Sequence, residues 1–149
     1  MPRIFSPESM AMAVDHRTKA RARALQMLYA WEMQGAPRIV DVASGLVRIG
    51  GRLPAELEEA EQLATAVAAE FEELDREAAD AAEHWRIERL GVIDRNILRI
   101  AIHELRAETA PPKVIINEAV QLAHWFGGLK SPGFVNGVLD RIAHSLGRL

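Results

Sequence analysis

The stretch Ser131-Pro-Gly-Phe-Val-Asn-Gly-Val-Leu-Asp-Arg-Ile-Ala143 decides how the chain is read. Ser131 is a good N-cap residue, because its hydroxyl can accept a hydrogen bond from an unsatisfied backbone N–H. Pro132 suits the first turn of a helix, where it has no N–H to lose. At about 100° per residue, Val135, Val138, Leu139, Ile142 and Leu146 gather on one face, which is expected to be buried. Phe134 lies at the edge of that face, beside Gly137 and Arg141 and close to the helix start. An aromatic ring at a positively polarised helix N-terminus, with Lys130 just before it, can hold a base and a phosphate. Spacing alone favours the plainer alternative, in which Phe134 packs under the preceding loop.

Working outward, no other segment alternates like a strand, and most show helical periodicity. The spacing predicts a helix from about Asp15 to Gly35, with Ala20, Ala24, Met27, Leu28 and Trp31 as its core stripe. A second stripe, Leu25, Tyr29 and Met33, lies almost opposite. Two stripes mean that this helix is either central in a bundle or docked against another chain. Its first turns carry Arg17, Lys19, Arg21 and Arg23. Arg17 and Arg21, one turn apart, would present guanidinium groups side by side to a phosphate, although a solvated basic face explains the pattern equally well.

Ile39, Val42, Ala43, Leu46 and Val47 make a short second helix, stopped by Gly50-Gly51. After Pro54, the residues Leu57, Ala60, Ala64, Val67, Phe71, Leu74, Ala78, Ala81 and Trp85 recur three and four apart. This pattern predicts one internal bundle helix or two helices in series. Ile93 to Arg106 carries a broad apolar arc that leaves only Arg95, Arg99, His103 and Arg106 as a polar stripe. Glu104 projects into that arc and must be satisfied there, either by tying down a loop or by meeting Lys113. Pro111-Pro112 opens the next helix and Gly127-Gly128 closes it. The resulting organisation is a flexible tail (1–14), an N-terminal helical subdomain (15–85) and a C-terminal helical subdomain (86–149).

Composition narrows the function. The 149 residues include no cysteine and 49% apolar residues, enough for a real core without disulfides, thiolate chemistry or a Cys-based metal site. There is no targeting pattern and no run of about 18 apolar residues, so a soluble cytoplasmic protein is expected. Residues 55–83 hold eleven acids against one base, Arg76, which leaves the rest of the chain basic despite a net charge of −3. A basic part beside an acidic part permits an anionic partner on one surface. The five histidines are scattered, His103-Glu104 does not continue into a zinc motif, and Gly127-Gly128-Leu129-Lys130-Ser131 lacks the spacing of a phosphate-binding loop. No nucleophile elbow or dinucleotide fingerprint appears. No catalytic, cofactor or metal residues are expected, and the residues alone reach a helical binding protein.

Three stretches in order carry a resemblance: Arg89-Leu-Gly-Val-Ile-Asp-Arg-Asn-Ile-Leu-Arg-Ile-Ala-Ile-His-Glu-Leu105, Pro112-Lys-Val-Ile-Ile-Asn-Glu-Ala-Val-Gln-Leu-Ala123, and Ser131–Ala143. Together with the basic start and Leu28-Tyr29-x-Trp31 of the first helix, they resemble the bacterial transcription antitermination factor NusB family, over about Asp15 to Leu146. The resemblance implies an all-α fold of two packed helical subdomains and a non-enzymatic role. It also implies binding of boxA RNA together with the small-subunit ribosomal protein NusE, within an RNA polymerase antitermination complex that reads through terminators, notably in rRNA operons. Carried over by position, Arg17, Lys19, Arg21, Lys130, Ser131, Phe134 and Asn136 would meet RNA. Tyr29, Met33, Glu88 and Asp94 would face NusE. Thr18 interrupts what is often a denser basic run, and Lys130 stands where some relatives have an acid. Two other readings compete. One is a subunit of an rRNA-modifying enzyme, for which the chain shows no cofactor-binding domain. The other is a structural homodimer built on the Leu25/Tyr29/Met33 stripe.

Overall fold

The computed structural model describes residues 16–47, 55–82 and 90–149. The expected tail, the Gly50-Gly51 break, Pro54, Trp85 and Glu88 lie outside the described residues. Seven α-helices are described: α1 (His16–Met33), α2 (Ile39–Val47), α3 (Ala55–Ala69), α4 (Phe71–Ala81), α5 (Val92–Ala107), α6 (Pro112–Phe126) and α7 (Ser131–Ser145). No strand occurs among the described residues, as the all-α reading expects.

The helices fall into two compact units, one ending at Ala69 and the other comprising Glu70–Leu149. The contacts divide the described helices at 69/70, and the junction expected at 85/86 lies outside the described residues. The long apolar stripe is broken at the same place, by Glu70 at φ −119°, ψ 14°. Of the two arrangements the periodicity allowed, two helices in series is the one found. The physical reason is that the two halves of the stripe serve different neighbours: α3 packs on α1 and α2, whereas α4 packs on α5 and α7.

In the first unit the core stripe of α1 is buried as expected, from Ala20 through Trp31, against Ala60, Ala64 and Val67 of α3. Alanines on both helices leave little bulk between their axes, which favours close packing. Leu25 of the second stripe is also buried, but Tyr29 and Met33 are 42% and 62% exposed. The second stripe is thus interior at its start and open at its end. α1 stops in a Schellman turn: Gly35 adopts φ +82°, its N–H donates to Glu32 O (3.3 Å), and the Ala36 N–H donates to Trp31 O (2.8 Å).

In the second unit α5 is central, packing on α4, α6 and α7. Ile97, Leu98, Ile102 and Leu105 are all but fully buried, each contributing about 1.5–3 kcal/mol relative to exposure. Arg99, His103 and Arg106 of its polar stripe meet acids at and after Glu70. Arg99, itself buried, makes two parallel hydrogen bonds of 2.7 Å to the Asp75 carboxylate. Its third side donates to Asn96 Oδ1 (2.9 Å), and its guanidinium lies 5.4 Å from the centre of the Phe71 ring. His103 sits 3.4 Å from Glu70, and Arg106 lies within 4 Å of both Glu73 and Glu77. Part of the acidic face is therefore matched to α5.

Glu104 takes the loop-tying role: its Oε1 accepts from Thr109 Oγ1 (3.0 Å), and its backbone carbonyl accepts from the Thr109 N–H (3.3 Å). The turn between them places Glu108 at φ +55°. Arg148 closes the same corner from the far end of the chain, donating to Leu105 O (2.6 Å) and Ala110 O (3.3 Å).

Two stability predictions come from the α4–α5 contact. Asp75→Ala leaves the Arg99 guanidinium buried without its carboxylate and should cost about 3 kcal/mol in urea denaturation. Glu73→Ala removes only an exposed partner at 3.6 Å and should stay within about 0.5 kcal/mol. Burial pushes the Glu77 carboxyl above its ordinary value of 4.5; Arg106 opposes this, while Glu73 and Asp80 reinforce it. An acid with a raised native pKa binds its proton more tightly when folded. Its stabilising share is present below the unfolded value and is lost as pH rises through the native one. Glu77→Gln should therefore melt above the wild type at neutral pH, and the gap should close towards about pH 4.

Candidate nucleic-acid interface

The candidate site on the second unit is the connection between α6 and α7. Gly127 ends α6 in extended backbone, with its N–H on Ala123 O (2.9 Å). A side chain there would place its Cβ 2.7 Å from both Cβ and Oγ of Ser131 and 2.8 Å from Ala123 O. Glycine is required at this position for closeness, and not for a phosphate.

Gly128–Ser131 is a turn fastened at both ends. The Ser131 N–H donates to Gly128 O (3.1 Å), and the Gly128 N–H donates to Ser131 Oγ (2.9 Å). The Ser131 hydroxyl in turn donates to Asp94 Oδ2 (2.9 Å), in the first turn of α5. This corrects the reading of Ser131 as an N-cap. The helix begins at Ser131 itself, Lys130 occupies the cap position, and the hydroxyl reaches back to Gly128 instead of forward into the helix. Ser131 is only 5% exposed, with both its donor and an acceptor site committed inside the protein. Its geometry suits holding the turn better than touching a ligand.

What the turn presents outward is Leu129, 98% exposed, and Lys130, also exposed. Phe134 follows half-buried, with its N–H on Lys130 O (3.2 Å), and Asn136 is exposed. Val135, Val138, Leu139 and Ile142 are buried as the periodicity expects. Leu146 is not: it lies past the last helical turn and is 38% exposed. Arg141 donates to Ala81 O (3.1 Å) at the end of α4.

The basic arm belongs to the first unit. Arg17 is exposed and Lys19 half-buried, but Arg21 is 5% exposed, between the equally buried Ala20 and Ala22. The side-by-side display of Arg17 and Arg21 is therefore not found. This part of α1 is covered round most of its circumference, so Arg21 is drawn inward while Arg17, one turn earlier, stays in solvent. Arg23 bonds Gln26 along the helix (3.0 Å). On the side expected to face a protein partner, Tyr29 and Met33 are exposed, Asp94 is half-buried and engaged with Ser131, and Glu88 lies outside the described residues.

Sequence reasoning missed Leu129 and the Asp94–Ser131 bond. The paired glycines before Ser-Pro signalled a tight connection, but nothing in the sequence links positions 37 residues apart. Among the described residues, no helix is long and apolar enough to cross a membrane.

The profile of the NusB family matches residues 18–144. The chain is 40% identical to a transcription antitermination protein NusB from Anaeromyxobacter over 131 residues, covering 87% of this chain and 91% of that protein. It resembles the solved NusB of T. maritima with a TM-score of 0.76 at 29% identity, covering 86% of this chain and 90% of that one. It also resembles a chain in the crystal structure of antitermination factors NusB and NusE in complex with dsRNA. There the TM-score is 0.73 at 28% identity, covering 87% of this chain and 97% of that one.

Gly127→Ala should lower stability by about 1–3 kcal/mol through overpacking against Ser131. Lys130→Ala, on the exposed side of the same turn, should leave the melting temperature nearly unchanged.

Proposed function

This chain belongs to the NusB family, and on that premise we propose that it is an RNA-binding antitermination factor. It binds boxA RNA together with the ribosomal protein NusE and, in the RNA polymerase complex, promotes read-through of rRNA operons. It acts as a non-enzymatic adaptor in the cytoplasm. The observation that carries this reading is the fastened turn at the start of α7, which holds exposed Lys130 one helical turn before Phe134, with exposed Asn136 further along the helix. A cation, a ring and an amide at a helix N-terminus suit phosphate, base face and base edge respectively.

Arg17 and Lys19 supply further phosphate contacts from the basic arm. Arg21 and Ser131, both buried, serve the interface from within by shaping the elements that bear it. Tyr29 and Met33 give NusE an apolar patch at the open end of the second α1 stripe, and Glu88 and Asp94 are the acidic positions that the family resemblance assigns to the same partner. The similar solved structure of antitermination factors NusB and NusE in complex with dsRNA supports the pairing of these two partners.

A gel-shift titration with boxA RNA, with and without NusE and at several salt concentrations, tests the reading. Affinity should fall steeply with salt. Arg17→Ala and Lys130→Ala should each reduce the log–log slope by about 0.7, the share of one single-stranded phosphate contact. Phe134→Ala should weaken RNA binding by about 1–3 kcal/mol with the fold intact, and Tyr29→Asp should abolish NusE binding. Salt-independent affinity, or none with NusE present, would overturn the reading. Conversion of dimers to monomers by Tyr29→Asp, with NusE affinity unchanged, would assign that patch to a second copy of the chain.

A further inference from the structure

Asp94 is placed where simple electrostatics gives it no reason to help an anion bind. Its Oδ2 accepts from Ser131 Oγ at 2.9 Å, and Ser131 adjoins Lys130 in the chain. A carboxylate so close to an RNA-facing turn repels phosphate through Coulomb's law. Its other oxygen, Oδ1, is buried with no hydrogen-bond partner, and an unpaired buried carboxylate oxygen is a cost to the fold. An acid in the first turn of α5 suits the helix macrodipole, but charge complementarity to an anion does not account for this residue.

Its connections do. The Ser131 hydroxyl has one proton, and Asp94 takes it. That fixes the hydroxyl rotor, so a lone pair points at the Gly128 N–H 2.9 Å away. With the Ser131 N–H on Gly128 O at 3.1 Å, the turn closes in both directions. The backbone of Leu129 and Lys130 at its tip is thereby held between two fastened ends. We infer that Asp94 is a positioning residue for nucleic-acid binding: acting through Ser131, it locks the Gly128–Ser131 turn so that Lys130 is held ready for a phosphate. Ordering the turn before RNA arrives removes an entropic cost from binding. This inference rests on the RNA-binding reading above and gives Asp94 a role distinct from contact with a protein partner.

The sign of one mutation separates positioning from charge. In a fluorescence-anisotropy titration of the full chain with boxA RNA at low salt, Asp94→Ala should tighten binding if only charge matters. The lock predicts the reverse, a loss of about tenfold. Ser131→Ala should lose about as much, and the double variant should also lose about tenfold instead of about a hundredfold, because both act through one bond. Asp94→Asn keeps an acceptor for the hydroxyl and should stay near the wild type. Independently of RNA, amide hydrogen exchange at Gly128 should quicken in Asp94→Ala and in Ser131→Ala.

Equal or tighter RNA binding by folded Asp94→Ala, or additive losses in the double variant, would overturn the inference. If Asp94→Ala does not fold, Ser131→Ala decides on the same readouts. If the wild type binds no RNA with or without NusE, the functional reading falls. The lock itself is then judged by Gly128 exchange, and unchanged protection in the variants sinks it.

Discussion

Within the second unit, the constraint that orders everything else is the burial of the Arg99 guanidinium. A cation in a helical interior needs its charge balanced and its donors satisfied. Asp75 supplies two acceptors, Asn96 a third, and Phe71 a polarisable face. Two of these four residues come from α4 and two from α5, so the pairing fixes how those helices lie along each other. Once α5 is fixed, its arc of isoleucines and leucines faces α6 and α7, and its first turn is set where Asp94 can reach Ser131. Hydrophobic area supplies most of the energy, but it is indifferent to a shift of one turn. The ionic contact is not, because its fork accepts only one register.

This division of labour explains what could be read from the sequence. Helix periodicity is a local property, so the positions of α5, α6 and α7 and the buried faces of Val135, Val138, Leu139 and Ile142 were legible from spacing alone. Glu104 was legible as a buried acid needing a partner, with the loop as one of two candidates. The partner of Arg99 was not. A basic stripe on one helix and an acidic run on another read equally well as two solvated faces, and only the packing brings them together. The break at Glu70 was hidden for the same reason: no proline or glycine marks it, and the apolar stripe continues through it without interruption.

The candidate interface shows the limit more sharply. Lys130 and Phe134 could be singled out as a cation and a ring near one helix end, although spacing alone favoured packing for Phe134, and Asn136 came only from the family resemblance. Arg21 and Ser131 have equally suitable chemistry, yet both are buried. A side chain's type says what it can bind, and its neighbours decide whether it can be reached. Arg21 lies in a stretch of α1 where Ala20, Ala22, Ala24 and Leu25 are buried as well, so its position on the helix puts it out of reach. At Ser131 the decisive neighbour is Asp94, far away in sequence and invisible to any local pattern.

The exposed apex of the α6–α7 connection has a practical consequence. Leu129 has nearly all of its surface in solvent, at the summit of a loop whose backbone is pinned on either side. The chain contains no cysteine. Leu129→Cys would therefore create a unique thiol to which a fluorophore or spin label can be coupled without protecting other sites. Because the backbone there is pinned, the label would stay at the loop tip and sense what approaches it. The molecule thus offers a ready place from which to watch its own encounters in real time.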